Sequence, residues 1–175
     1  QAHLWEGGTA NIQAFDKFAR GQDCFFRNNE KDNKQARHFF KEAINIDNDY
    51  SLAYIMLGFT HVMDLNYGWS KSPIESFEHA EKNVEKALAL NDSIDIAHCL
   101  QGWIYLLKRQ HNEAIKAGER AIELNPNGAD AHAQLAIILR FSDKIESAIK
   151  LLERALRLNP IPQSYYYSNL AIAHQ

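Results

Sequence analysis

No stretch of about 18 apolar residues runs through this chain, so no segment of it is expected to cross a membrane as a helix. Cysteine is scarce. Cys24 and Cys99 are the only two, and both sit in apolar helical patterns where a free thiol behaves as a small hydrophobe. A disulfide framework is therefore not expected, and a reducing, cytoplasmic compartment is; a periplasmic one would need a membrane anchor elsewhere in a longer protein. Basic charge is also missing: 19 Lys and Arg face 22 Asp and Glu, for a net −3, without the basic stripe of a nucleic-acid footprint. The local signatures of chemistry are absent too. There is no G-x-S-x-G, P-loop, G-x-G-x-x-G, H-E-x-x-H or paired-cysteine spacing. The expectation is no enzyme, no cofactor and no metal. Eight histidines do not alter that, because His98 and His132 repeat at one slot and read as stand-ins for a packed aromatic residue. Glu113, Glu119 and Glu123 read as solvated helix faces with lysines and arginines near them.

What the chain does contain is a repeat. Ala87, Ala121 and Ala155 recur every 34 residues, as do Leu90, Leu124 and Leu158, and Asn91, Asn125 and Asn159. Self-similarity at that interval predicts stacked helical hairpins, each too small to bury its own apolar face alone. Read in order, 1–10 is a lead-in whose Leu4 and Trp5 either dock on the first hairpin or belong with sequence not present here. Four hairpins follow, at 11–49, 50–92, 93–127 and 128–160, and 161–175 is a single further helix. Ala43 and Ala87 stand 44 apart rather than 34, so hairpin two carries about ten extra residues around Tyr67, Gly68 and Trp69. Ser72 with Glu75, and Asp143 with Glu146, have capping-box spacing. Pro126 and Pro160 stand where second helices must stop. A chain opening on Gln1 and closing on an unpaired helix reads as a piece of a longer protein.

The small-large alternation resembles the tetratricopeptide repeat. The first-helix slots of that pattern hold Tyr54, Leu57, Gly58 and His61 in hairpin two, His98, Gln101, Gly102 and Tyr105 in hairpin three, and His132, Leu135, Ala136 and Leu139 in hairpin four. The second-helix slots hold Ala36, Phe40 and Ala43; Ala80, Val84 and Ala87; Ala114, Gly118, Ala121 and Pro126; and Ala148, Leu152, Ala155 and Pro160. Gln101 and Gly118 depart from the usual Leu and Phe, and Asn48 and Asp92 replace the terminal proline. The resemblance implies an all-α fold, a right-handed superhelix (α-solenoid) of antiparallel helix pairs, serving as a non-catalytic protein–protein interaction scaffold. More narrowly, "AFDKFARG", "NYGW" and "AHCLQGWIYLL" are similar to repeat regions C-terminal to bacterial class III adenylate and guanylate cyclase domains and in some winged-helix regulators. That likeness implies a regulatory part of a signalling protein.

By the same resemblance, one face of the first helices lines a concave groove. Its slots hold Phe18 and Phe25; Ile55, Phe59 and Val62; Cys99, Trp103 and Leu106; and Ile137 and Arg140. A helix apolar all round is either enclosed or presents an adhesive surface. One reading is a groove for an apolar peptide or amphipathic helix, anchored by Phe59 and Trp103, with Tyr67 and Trp69 on its rim. The other is tight curvature that buries these side chains in the stack. A small apolar ligand in the same groove, or self-association through Tyr165–Tyr167 and Leu170 as a homo-oligomer, are the alternative functions.

Overall fold

The computed structural model describes residues 7–159 and 164–174. Among them are nine α-helices and no strand: α1 (Ile12–Phe25), α2 (Glu30–Ile46), α3 (Ser51–Asn66), α4 (Pro73–Leu90), α5 (Asp95–Leu107), α6 (His111–Leu124), α7 (Ala129–Phe141), α8 (Ile145–Leu158) and α9 (Ser164–Ala173). The expected placements of Leu4, Trp5 and Pro160 lie outside the described residues. The chain forms two compact units, Gln1–Leu100 and Gln101–Gln175, divided within α5.

In the first unit α1 packs on α2, α2 on α3, and α3 on α4. Asn11 starts α1, its side-chain oxygen accepting from the backbone N–H of Gln13 at 2.9 Å and Ala14 at 3.2 Å. Asn29 starts α2 by accepting from Asp32 N–H at 3.0 Å. These bonds satisfy donors that a helix leaves orphaned at its first turn. The core is aromatic at this end: Phe18 lies 5.6 Å from Phe40 and 4.9 Å from Tyr50, ring centre to ring centre. Thr9 hydrogen-bonds the Asp47 carboxylate, and Leu52 N–H donates to Gly7 O at 3.2 Å. The lead-in is thereby tied to the turn between α2 and α3. Every residue of α3 from Ile55 to Val62 is buried.

In the second unit α6 packs on α7, α7 on α8, and α8 on α9. Ala114, Ala121, Ala136, Ala148 and Ala155 are fully buried, so the helices meet where side chains are smallest. Gly102 shows why. A Cβ there would stand 2.7 Å from the Ile138 side chain and 3.3 Å from the Ala114 carbonyl. A glycine inside a helix costs about 0.5–1 kcal/mol, which this close packing offsets. The α9 helix is held by two phenols, Tyr165 Oη and Tyr166 Oη, which donate to Asp130 Oδ1 at 2.7 and 2.6 Å. Burial, and after it the Asp130 carboxylate, pushes the Tyr165 phenol well above its usual range.

Neither capping box forms. Asp143 has φ +59° and belongs to the end of α7. Its N–H donates to Arg140 O at 3.2 Å and that of Lys144 to Leu139 O at 2.9 Å, the bond pair of a left-handed helix stop. Arg109, also at φ +59°, closes α5 in the same way, Gln110 N–H reaching Tyr105 O at 2.9 Å. Turning the chain back at once after α7 uses Asp143 for the stop and leaves Lys144 at the start of α8, with no side-chain cap bond. At α4, Ser72 makes no side-chain cap bond either. Its N–H instead donates to Ser70 Oγ at 3.2 Å, and Ser70 Oγ pairs with Ser76 Oγ at 2.7 Å.

Candidate functional site

In the first unit Phe18, Ile55, Phe59, Val62 and Cys99 are buried, and Phe25 is half-buried. In the second unit Ile137 is buried, while Trp103, Leu106 and Arg140 are half-buried. Phe59 and Trp103, the two expected anchors, thus fall in different units with different exposure. Trp103 is held rigidly: its indole N–H donates to Gln134 Oε1 at 2.6 Å, and its ring meets Phe141 edge-on at 6.5 Å. The Arg140 guanidinium lies 4.3 Å from the Phe141 ring centre, a cation–π distance, and bonds Asn169 Oδ1 at 3.4 Å.

In each unit, taken by itself, exposed apolar side chains stand one residue beyond the expected slots. Phe26 is 54% exposed, Leu107 36% and Phe141 51%. Met63, half-buried, holds the same slot on α3. Leu107 and Phe141, both in the second unit, stand one 34-residue interval apart, whereas Phe26 and Met63 in the first stand 37 apart and do not keep it. Periodicity marks the Leu107–Phe141 pair once the helix ends are counted with the helices.

A second feature left no sequence signal. Four polar side chains meet between α2 and α3. Asn33 Nδ2 donates to Thr60 O and to Asp64 Oδ1, both at 2.8 Å. Arg37 Nη2 reaches Asp64 Oδ2 at 2.6 Å, and its Nε reaches Thr60 Oγ1 at 3.1 Å. Asp64 is 3% exposed and Asn33 1%. The backbone carbonyl of Asp64 also accepts from Trp69 N–H at 2.9 Å and Ser70 N–H at 3.3 Å. One residue therefore fixes both the α2–α3 junction and the start of the insert.

Beside this network the buried His61 ring stacks on His79 at 5.0 Å, its Nδ1 without a partner. Burial first, then the Arg37 charge and those of His79 and Lys41, lowers its pKa from 6.5 to about 3. The folded state thus binds fewer protons than the unfolded one between these values. The stability this contributes is complete above pH 6.5 and is lost as pH falls toward 3. Between pH 7 and pH 4.5 the loss is on the order of 2 kcal/mol. Urea unfolding of His61→Phe at the two pH values is expected to show a pH dependence smaller by that amount. An unchanged pH dependence would contradict the assignment.

Among the described residues no group of three or more His, Cys, Asp and Glu could hold a metal ion, and no helix is long and apolar enough to cross a membrane. Residues 105–170 match the family model of the tetratricopeptide repeat. TTC0263, a thermophilic tetratricopeptide protein of Thermus thermophilus, superposes with a TM-score of 0.61 at 15% identity, over 90% of this chain and 99% of that one. This is a tetratricopeptide-repeat fold. PilF of Pseudomonas aeruginosa shares the fold with a TM-score of 0.62 at 18% identity, over 92% of this chain and 76% of that one. So does YrrB, described as a tetratricopeptide protein with an unusual peptide-binding site: TM-score 0.53, 19% identity, 92% of this chain and 76% of that one. No curated protein matches the sequence. Within the tetratricopeptide frame, Gly118 stands where Phe is usual, and the structure supplies the reason. A Cβ at Gly118 would stand 2.7 Å from Leu135 Cδ1, so Leu135 fills the space from the next helix.

Proposed function

We propose that the protein is a non-catalytic interaction scaffold that takes an apolar peptide or amphipathic helix against its first-helix face. The observation that carries this reading lies in the second unit: exposed Leu107 and Phe141, 34 residues apart, beside half-buried Trp103, Leu106 and Arg140. Rigid aromatic side chains with one open edge are the usual anchors of such binding, because little rotamer freedom remains to be lost. The peptide-binding site named for YrrB, a protein of the same fold, supports the reading.

A fluorescent amphipathic-helix peptide panel tests it by anisotropy. Trp103→Ala combined with Phe141→Ala is expected to weaken the best binder at least about tenfold, with helicity retained. Undiminished binding by that folded double variant removes the proposal. The narrower likeness to cyclase-associated repeats supports a setting in a bacterial signalling protein. Sequence encoded upstream of Gln1 tests that setting, since a cyclase or winged-helix domain is expected there.

A further inference from the structure

Arg140 is a half-buried cation without a counterion. From Gln101 to Leu107 α5 holds no Asp, Glu, Lys or Arg, and α9 holds none from Ser164 to Ala173. The other such residue of α7, Asp130, is occupied at the far end of that helix, accepting from Tyr165 Oη and Tyr166 Oη. Among the described residues Arg140 makes no ion pair. Its hydrogen bond to Asn169 Oδ1 is long, at 3.4 Å, and its Nε is buried without an acceptor. A guanidinium has five N–H donors, so most of those on Arg140 are unmet by the described residues.

The guanidinium is nevertheless held in place. It lies 4.3 Å from the centre of the Phe141 ring, and that ring meets Trp103 edge-on at 6.5 Å. Trp103 is itself fixed by its bond to Gln134. Within the second unit, one surface therefore runs from the indole through the phenyl ring to the cation. Phe141 is 51% exposed and Arg140 half-buried, so the charge is open to a ligand yet partly shielded from water. An opposite charge meets it there at a lower effective dielectric than in bulk water, and the contact is correspondingly stronger.

A bound helix uses its own carbonyls internally except in its last turn, so from mid-helix it offers side-chain acceptors only. Of these, a carboxylate both neutralises a guanidinium and takes two parallel N–H bonds from it. We propose that the segment held at Trp103, Leu107 and Phe141 is an amphipathic helix bearing one Asp or Glu, three or four residues from its apolar anchor, that pairs with Arg140. Residues at that spacing stand about 5–6 Å apart on one helix face. That is the scale of the step from the Phe141 ring to the guanidinium. This rests on the reading of the first-helix face as a peptide site, and it adds the sign and place of the charge its partner carries. The apolar contacts supply affinity, and Arg140 selects the partner and its register.

Fluorescence anisotropy of the full chain with acetylated, amidated amphipathic peptides of leucine, alanine and glutamine is the test. The peptides differ at a single position, three or four residues from a leucine, where one carries Glu and the other Gln. The Glu peptide is expected to bind at least about tenfold more tightly, the margin narrowing as salt is added. Arg140→Gln is expected to bring the two peptides within about twofold of each other. Arg140→Glu is expected to turn the preference toward a peptide with Lys at that position. Equal binding of the Glu and Gln peptides by the unaltered chain overturns the proposal, and no variant has to fold for that result. A preference that survives in Arg140→Gln overturns it as well, because another cation then supplies it. A preference seen only when the peptide ends in a free carboxylate assigns the acceptor to a chain terminus and rejects the side-chain partner. Glu and Gln peptides that bind alike, both weakened by Trp103→Ala with Phe141→Ala, reject the Arg140 pairing and leave the scaffold reading standing. Absence of saturation by about 1 mM of either peptide rejects both.

Discussion

Asp64→Ala is expected to lower the free energy of unfolding by about 3–5 kcal/mol, because it removes one partner of a buried charged pair and strands the other. Arg37 Nη2 loses its 2.6 Å bond to the carboxylate, and its side chain is only 18% exposed. Asn33 loses one of its two acceptors at a site 1% exposed, where its Oδ1 already has no partner. Water cannot readily replace these bonds, so most of the desolvation cost of the remaining groups is felt. Arg37→Met combined with Asp64→Leu is expected to cost less than Asp64→Ala alone, since both charges are then gone and the methylenes still pack. Urea unfolding followed by circular dichroism gives both values. An Asp64→Ala loss below about 1 kcal/mol would mean the network is solvated and contributes little.

Phe40→Ala is expected to cost a comparable 3–5 kcal/mol, or about that, for a different reason. The Phe40 ring is fully buried, packs on Phe18 at 5.6 Å and fills the space left by Gly21. A Cβ on Gly21 would stand 2.5 Å from Phe40 Cε1, so the two positions are matched in volume. Deleting the ring leaves a cavity that backbone between two regular helices cannot close. For a chain of this size the midpoint of thermal unfolding should fall by roughly 6–20 °C. Gly21→Ala is expected to destabilise as well, by overpacking, and Gly21→Ala with Phe40→Leu to recover part of the loss. A fall of less than about 3 °C for Phe40→Ala would place its ring outside the core.

The helices are legible in the sequence because the 34-residue interval repeats small residues at each helix crossing. Ala114, Ala121, Ala148 and Ala155 are buried in the second unit, and Ala36, Ala43, Ala80 and Ala87 in the first. The helix starts are less legible. Ser72 and Asp143 have the right spacing, but the Ser72 side chain makes no cap bond while its N–H donates to Ser70 Oγ, and Asp143 is consumed by the stop of the preceding helix. Spacing records which residue could cap; it does not record which backbone conformation the turn demands.

The candidate surface shows the same division. Apolar character marks Phe18, Ile55, Phe59, Val62 and Cys99 as alike to Phe25, Trp103 and Leu106, yet the former are enclosed and the latter only half so. Phe26, Leu107 and Phe141 lie one position beyond those slots, and they are the exposed ones. The helical repeat and its small crossing residues followed from sequence alone, because backbone approach depends on local side-chain size; the extra length expected around Tyr67–Trp69 lies mostly in α3 and α4, of 16 and 18 residues against 13 or 14 in α5 to α8. Which apolar side chains stay open, and that Asn33, Arg37, Thr60 and Asp64 converge across 23 to 31 positions, only the tertiary structure decided. Exposure and long-range pairing depend on the rotation of one helix against the next, and a modest rotation changes both without altering the period.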